Sequence, residues 1–403
     1  MGIYIGVAMW VLLAWSPAGA DPIRVKIGVL SDMNGLYADG SGLGSVEAAK
    51  MAADDFGAAN PGVDVEIIAA DHQNRPDIAS AIARRWYDTE GVDAIADMPT
   101  SSTALAVSSL TRAANKVLLA TNAAAMDLTG KDCSPNTVVW SYDAWGFAHG
   151  TAETLVKRGL DTWFFITADY VYGRTTEQLA SEVVEAAGGK VLGSVRHPLG
   201  NADFSSALLT AKVSGAKVIG LANAGGDAIN TIKQAHEFGL TSDGQTIAAL
   251  AIFITDIHAL GLDITQGLTL TTSFYWDHTD ATRAFALRFA ERRQGRRPAM
   301  GQAGVYSAVL AYLEAVKGLG SASDGARVVA AMQDRGAYDD PLFGRTQVRM
   351  DGRAAHPMYL AEVKTPADSK GPWDYYSIRA TIPPGRAARP LAEAKAAGCG
   401  LVP

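Results

Sequence analysis

The sequence predicts an α/β protein of two Rossmann-like lobes, each a mostly parallel sheet flanked by helices, joined by a multi-strand hinge. Three observations predict it. Short apolar, β-rich runs alternate with helical periodicity along most of the chain, the pattern of parallel sheets. The beat breaks once, over 135–143, and then restarts, so two α/β units follow one another. Segments beyond residue 267 then head back, so the chain crosses between the units more than once. The crossings near Trp140 and Thr271 are the expected hinge points, with lobes over 21–140 plus 273–352 and 141–272 plus 353–403.

The first unit opens on a strand carrying Val25, Ile27, Val29 and Leu30, followed by a polar, glycine-rich loop over 31–44. A helix is expected from Ser45, because Val46, Ala49, Ala53 and Phe56 recur at three- and four-residue spacing. Glu47 and Lys50 can pair on its outer face, and Gly57 suits its C-cap. Ligands of open α/β sheets sit beyond the carboxyl ends of strands, so the loop over 32–44 is the first candidate site.

The beat continues with a strand over 63–70, a helix over 77–87 with Ile78, Ile82 and Trp86 on one face, and a strand over 94–96. A polar loop over 97–102, a helix over 103–114, a strand over 117–120 and a loop over 121–129 close the unit. The second unit reads as helix 148–158, strand 162–167, loop 168–173, helix 175–187 and strand 190–196. It goes on through helix 201–213, strand 218–221, a loop ending at Asp227, helix 228–238, strand 246–251 and loop 253–256. The return path carries a strand over 268–272, helices over 282–292 and 304–316, and short strands near 345–350 and 358–363.

With 403 residues and 48% hydrophobic content, the chain can bury large cores. A net charge of -7 with no long Lys/Arg-rich run argues against nucleic acid. Residues 1–20 are apolar and end in Ala18-Gly19-Ala20, which reads as a secretory signal peptide cleaved before Asp21, or else an uncleaved anchor, since the flank lacks Lys and Arg. Beyond it no run approaches the ~18 apolar residues of a membrane span, so the mature chain is expected to be exported and soluble. Cys133 and Cys399 are then expected to form a disulfide, with two separate thiols as the alternative. Closing so long a loop is worth about 5 kcal/mol at most in the chain-entropy model.

Enzyme signatures are missing: no Gly-x-Ser-x-Gly, no phosphate-binding Gly-x-x-x-x-Gly-Lys-Ser/Thr and no His-Glu-x-x-His. The seven histidines are scattered, and no metal or cofactor is expected. The strand-end loops carry hydroxyl, amide and aromatic groups instead. Thr100, Ser101 and Ser102 precede a helix, where free N–H groups and hydroxyls favour a carboxylate, or simply cap the helix. Tyr170 and Tyr172 follow a strand and can close over a ligand or pack against the hinge, and Tyr275 and Trp276 form either an aromatic wall or core.

In this setting the sequence resembles the type I periplasmic solute-binding proteins, in the branch of leucine/isoleucine/valine-binding proteins. The resemblance rests on VKIGVLSDMNGLYADGSGLGSVEAAKMAADDFG, ADMPTSSTALAVSSL, LLATNAAAMDLTGKDCSPNTVVWSYD, ITADYVYGR, LANAGGDAINTIKQAHEFGL and SFYWDHTDATRAFALRF, with AGVYSAVLAYLEAV and VRMDGR in the tail. It implies a periplasmic, non-enzymatic protein, expected to be monomeric. Such a protein captures a small solute in the interlobe cleft and hands it to an ABC-importer permease driven by cytoplasmic ATPases. A ligand sensor reporting to a membrane receptor is the alternative. The resemblance places the carboxylate loop on Thr100, Ser101 and Ser102 and further pocket positions on Tyr37, Asp39, Asn122, Ala123, Ala124, Tyr172, Asn223 and Asp227. An Ala run stands where amino-acid binders have Thr, and the loop from Phe253 offers only Asp256 for the amine-gripping Glu. The expected ligand is therefore a small carboxylate-bearing solute: an amino acid, an aromatic or aliphatic acid, or a small amide.

Overall fold

The computed structural model describes residue 2 and residues 22–240 and 244–403. Apart from Gly2, the leader expected over 1–20 lies outside the described residues. The first lobe holds five parallel strands in the order β2-β1-β3-β4-β5, namely β1 (Ile23–Ser31), β2 (Val63–Asp71), β3 (Ala94–Asp97), β4 (Val117–Ala120) and β5 (Thr137–Val139). Helices α1 (Gly42–Ala59), α2 (Pro76–Asp88) and α3 (Ser101–Ala113) join them. Strands β3 to β5 are buried at every residue, as continuous apolar runs covered on both faces require.

After β5 the chain crosses to the second lobe through α4 (Ala144–Phe147), a π turn (Ala148–Ala152) and α5 (Glu153–Lys157). Four parallel strands repeat the same logic in the order β7-β6-β8-β9, with β6 (Thr162–Ala168), β7 (Lys190–His197), β8 (Val218–Ala222) and β9 (Thr246–Ala249). They alternate with α6 (Val171–Ala186), α7 (Ser205–Val213) and α8 (Gly226–Glu237), and α9 (Ile254–Leu260) and α10 (Leu262–Thr265) follow. Strand β10 (Thr269–Thr272) begins the return. Helix α11 (Asp280–Arg292), α12 (Met300–Leu319) and α13 (Gly325–Asp334) come next, and Val305, Val309 and Tyr312 of α12 share a core with Val117 and Leu119 of β4.

Three short strands, β11 (Tyr338–Asp340), β12 (Gly344–Val348) and β13 (Ala354–Ala355), lead to β14 (Met358–Val363) and β15 (Tyr376–Ile382). Strands β10, β14 and β15 form an antiparallel sheet whose Leu270, Ala361 and Tyr376 join the second-lobe core around Ile219 and Ile247. At the crossing, Arg353 is buried and donates to the carbonyls of Val139 (3.1 Å), Trp140 and Ala354 (2.7 Å) and to Asp143 (2.9 Å). His356 adds a bond between its Nε2 and the Trp140 carbonyl at 2.9 Å. These bonds gather the crossings near Trp140 and residue 353 into one joint.

The tail helices α14 (Pro384–Ala387) and α15 (Leu391–Ala396) touch both lobes. Arg386 pairs with Glu153 at 2.7 Å, whereas Cys399 is disulfide-bonded to Cys133, Cα to Cα 5.5 Å, as expected.

Several boundaries differ from expectation for local reasons. Helix α1 starts at Gly42, whose N–H donates to the Ser31 hydroxyl (2.9 Å), and Gly57 lies inside it, the C-cap falling at Asn60. The helix expected from residue 201 begins at Ser205, because the Asp203 carboxylate accepts from the Ser205 N–H at 2.9 Å and from its hydroxyl at 2.6 Å. The π turn lies against β10, where a Cβ on Gly150 would come within 2.2 Å of the Thr271 hydroxyl. Helix α6 begins at Val171, so Tyr172 stands in its first turn rather than in a loop.

Candidate functional site

A cavity lies between the carboxyl ends of the two sheets, where open α/β sheets take ligands. On the first-lobe side, Asp32 shapes the loop after β1. Its carboxylate accepts from the N–H groups of Gly35 (2.6 Å) and Tyr37 (2.9 Å) and from the Asn74 amide (2.6 Å), so the Tyr37 ring projects into the cavity. Gln302 of α12 supports the same loop, donating to the carbonyls of Asp39 and Ser41 at 3.0 Å each. A Cβ on Gly44 would lie 2.1 Å from that amide, which is why glycine stands there.

At the end of β3, Asp97 and Met98 hold positive φ values of 88° and 66°. Non-glycine residues rarely do so outside functional or tightly constrained turns. The turn brings Pro99 and Ser101 to the cavity, with Ser101 the first residue of α3. The Asp97 carboxylate accepts from the Ser31 hydroxyl (2.6 Å) and from the Asn122 amide. The Tyr142 hydroxyl donates to the Asn122 carbonyl at 2.8 Å. Burial raises the Asp97 carboxyl to about 6 despite those donors.

The second lobe contributes Tyr170, Tyr172, Ala224, Ala251 and Phe253 from the ends of β6, β8 and β9, and Phe147 comes from α4. Tyr37 and Tyr170 touch hydroxyl to hydroxyl at 2.7 Å. Burial drives the phenols of Tyr37, Tyr142, Tyr170 and Tyr172 upward, so all stay neutral near pH 7. The Tyr172 hydroxyl is buried beside that of Thr176, and neither makes a well-formed hydrogen bond. Such a group costs about 1–3 kcal/mol until something pairs with it. The cavity is small, about 30 Å³. That is room for a water or two, so a larger ligand enters only when the lobes part.

Of the residues expected at the site, Tyr37, Ser101, Asn122, Ala124, Tyr170, Tyr172 and Phe253 line this cavity. The others do not. Asp39 is exposed and turned to Arg296 at 2.8 Å. Thr100 is buried and donates to the Asn74 side chain, and Ser102 lies half-buried beside it. Ala123 packs into the core with Leu118 and Val139. Asn223 donates to the Thr231 hydroxyl (3.1 Å), and Asp227 accepts the Gly200 N–H (3.1 Å). Asp256 sits in the first turn of α9, where its carboxylate accepts the Phe253 N–H at 2.8 Å, and burial lifts it to about 7. The Tyr275 hydroxyl goes to Asp374 (3.3 Å) and the Trp276 indole to the Trp373 carbonyl (2.7 Å).

Tyr142 and Phe147, unforeseen, lie in and just beyond the segment read as a break, although Tyr142 follows the apolar run of β5. Among the described residues no group of three or more His, Cys, Asp or Glu side chains is set to hold a metal.

Two α/β lobes with a cavity between their strand ends define a solute-binding protein. The chain belongs to the periplasmic binding protein family, whose model matches residues 24–372. It is similar to a periplasmic binding protein from Burkholderia mallei, with 46% identity, TM-score 0.89, and coverage of 95% of this chain and 100% of that one. A branched chain amino acid ABC transporter periplasmic ligand-binding protein from Burkholderia xenovorans LB400 is 40% identical, with TM-score 0.82 and coverage of 94% and 100%. The Leu/Ile/Val-binding protein homolog 6 of Brucella melitensis is 26% identical over 363 residues, 87% of this chain and 90% of that protein.

Proposed function

We propose that this protein captures a small carboxylate-bearing solute between its lobes in the periplasm and delivers it, unchanged, to the permease of an ABC importer. The observation that carries the ligand class is the cavity wall, which holds six aromatic rings, hydroxyls and one amide but no charged side chain. A carboxylate needs only donors, and Ser101 with the free N–H groups of the first turn of α3 supplies them. An α-ammonium group needs an anion. The carboxylates behind Asn122 and Phe253, those of Asp97 and Asp256, are turned to protein donors and pushed by burial toward the neutral form. The site therefore favours an aromatic or aliphatic acid that lacks an amine.

A branched-chain amino acid is the second reading, favoured by the name of the 40% identical relative. A thermal-shift screen separates the two. A solute at 100 times its dissociation constant adds about 2.7 kcal/mol, a shift of a few degrees. Hits among benzoates or short fatty acids, with leucine, isoleucine and valine silent, fit the first reading. The opposite pattern overturns it, and a hit that the protein converts to product overturns capture altogether.

A further inference from the structure

A second cavity lies on the second lobe, walled by the π turn with its flanking helices α4 and α5, by α6, and by the tail helices α14 and α15. It shares no lining residue with the cleft cavity, although α4 serves both, through Phe147 in the cleft and Trp145 here. Its volume is about 530 Å³, within the range of roughly 300–1,000 Å³ usual for small-molecule sites.

The walls are fixed by bonds of the fold. The Trp145 indole donates to the Arg386 carbonyl (3.3 Å), and the Arg386 guanidinium pairs with Glu153 (2.7 Å). The Cys133–Cys399 disulfide ties down the chain just beyond α15. Trp145 and His149 stack with ring centroids 3.8 Å apart, and burial holds the imidazole below its usual range, so it is neutral near pH 7. Leu179, Val183 and Ala186 of α6 supply an apolar side.

Charge sets the ligand class. Lys157 and Arg386 are both spent on Glu153. Glu182 takes the neutral Gln178 amide at 3.0 Å, and Glu393 makes no ion pair among the described residues. Arg389, the cation whose field reaches Glu393, is turned to the Met126 carbonyl and the Thr129 hydroxyl at 3.2 Å each. Two carboxylates without cations, beside a half-buried indole, suit an ammonium ion by charge and by cation–π attraction. The apolar side suits a carbon body attached to it. An anion would meet two like charges there.

We propose that the cavity between the π turn, α6 and the tail helices is a second binding site, for an organic ammonium ion with an apolar or aromatic body. The assignment stands on this cavity's own residues and does not depend on what the cleft captures.

The test is an NMR titration of the intact, disulfide-bonded protein with phenethylamine, followed at the indole N–H signal of Trp145, which Trp145→Phe identifies. Phenylacetate and 2-phenylethanol carry the same body with a negative charge or none. Phenethylamine should shift the signal saturably, with an affinity that falls as salt is raised. The double variant Glu182→Gln/Glu393→Gln should bind about tenfold more weakly, in line with two exposed charge contacts. Both side chains are exposed, so the fold should be kept. An unmoved signal, equal binding of either control, or unchanged affinity in the double variant overturns the site. Binding that survives the double variant but is lost in Ser101→Ala places the amine in the cleft, and overturns both this site and the acid reading of the cleft. Failure of the acids in the thermal-shift screen leaves the titration standing, so the two assignments fail separately.

Discussion

Tyr37 and Tyr170, 133 residues apart in sequence, share a hydrogen bond of 2.7 Å between their hydroxyls across the cleft. Each phenol comes from the loop or cap at a strand end in a different lobe, so the bond exists only while the lobes are together. It also lies in the cavity wall, where an incoming solute can take its place. The pair therefore reports on closure and on occupancy at once.

Tyr37→Phe and Tyr170→Phe should each destabilise the free protein, and the double variant should cost less than the sum. A neutral hydrogen bond of this kind contributes about 1 kcal/mol net. Denaturant unfolding of the four proteins in a double-mutant cycle measures it. A coupling energy near zero would show that the lobes are not held by this bond in solution.

Tyr172→Phe should behave differently, because its hydroxyl faces that of Thr176 without a well-formed hydrogen bond to lose. Removing a buried, unpaired hydroxyl should leave the free protein as stable or raise its melting temperature by a few degrees. The same change should weaken a ligand that pairs with that hydroxyl by about tenfold, in line with one hydrogen bond. Calorimetric titration checks this, and equal affinity for both proteins would mean that the solute leaves Tyr172 unpaired.

Thr100 and Ser101, adjacent in sequence, should separate in function. Ser101→Ala removes a hydroxyl at the cavity and should weaken carboxylate binding about tenfold at unchanged stability. Thr100→Ala instead cuts the bond to Asn74, which holds Asp32 and through it the Tyr37 loop, so it should lower stability by about 1 kcal/mol. The idea fails if Thr100→Ala matches Ser101→Ala in both readouts.

The short apolar runs alternating with helical periodicity made the two-lobed α/β architecture legible, and the rule that ligands sit at strand ends led to the loops that carry Tyr37, Ser101 and Asn122. Side-chain direction was not legible. Asp39 faces outward because Arg296, 257 residues away, meets it, and Trp276 turns from the cleft because the Trp373 carbonyl takes its indole N–H. Asp256 looked available because residues 253–256 read as a loop, but the segment is a helix start that uses the carboxylate as its own cap. Such choices are settled by tertiary partners or by local N–H groups that leave no periodic trace. The tail helices escaped for a related reason, since the disulfide to Cys133 and packing around Ala394 and Val402 hold what their short sequences could not.

Cys399→Ser should therefore act on stability and leave ligand capture intact. Loss of a native disulfide costs about 2–5 kcal/mol, read as a lower denaturation midpoint. No residue of the cluster around the disulfide lines the cavity, so affinity should hold at temperatures where the protein is folded. A variant that folds yet binds ten times more weakly would show that the tail governs the hinge.

Asp256 gives the stability of the protein a pH dependence of definite sign. Its carboxyl is lifted to about 7 by burial, against about 3.9 in an unfolded chain. The folded state thus keeps a proton that the unfolded state releases. The resulting stability is fully present below the unfolded value and is lost as pH rises through the folded one, by up to about 1.4 kcal/mol per pH unit between them. Asp97, lifted to about 6, adds a second loss over the lower part of that window. Asp256→Asn keeps an oxygen to accept the Phe253 N–H but removes the titration. Its stability should fall less between about pH 4 and 7, and it should exceed the parent near pH 8. Denaturant unfolding across that range decides the matter, and parallel curves for the two proteins would mean that the Asp256 carboxylate is solvated or paired in a way that the closed fold does not allow.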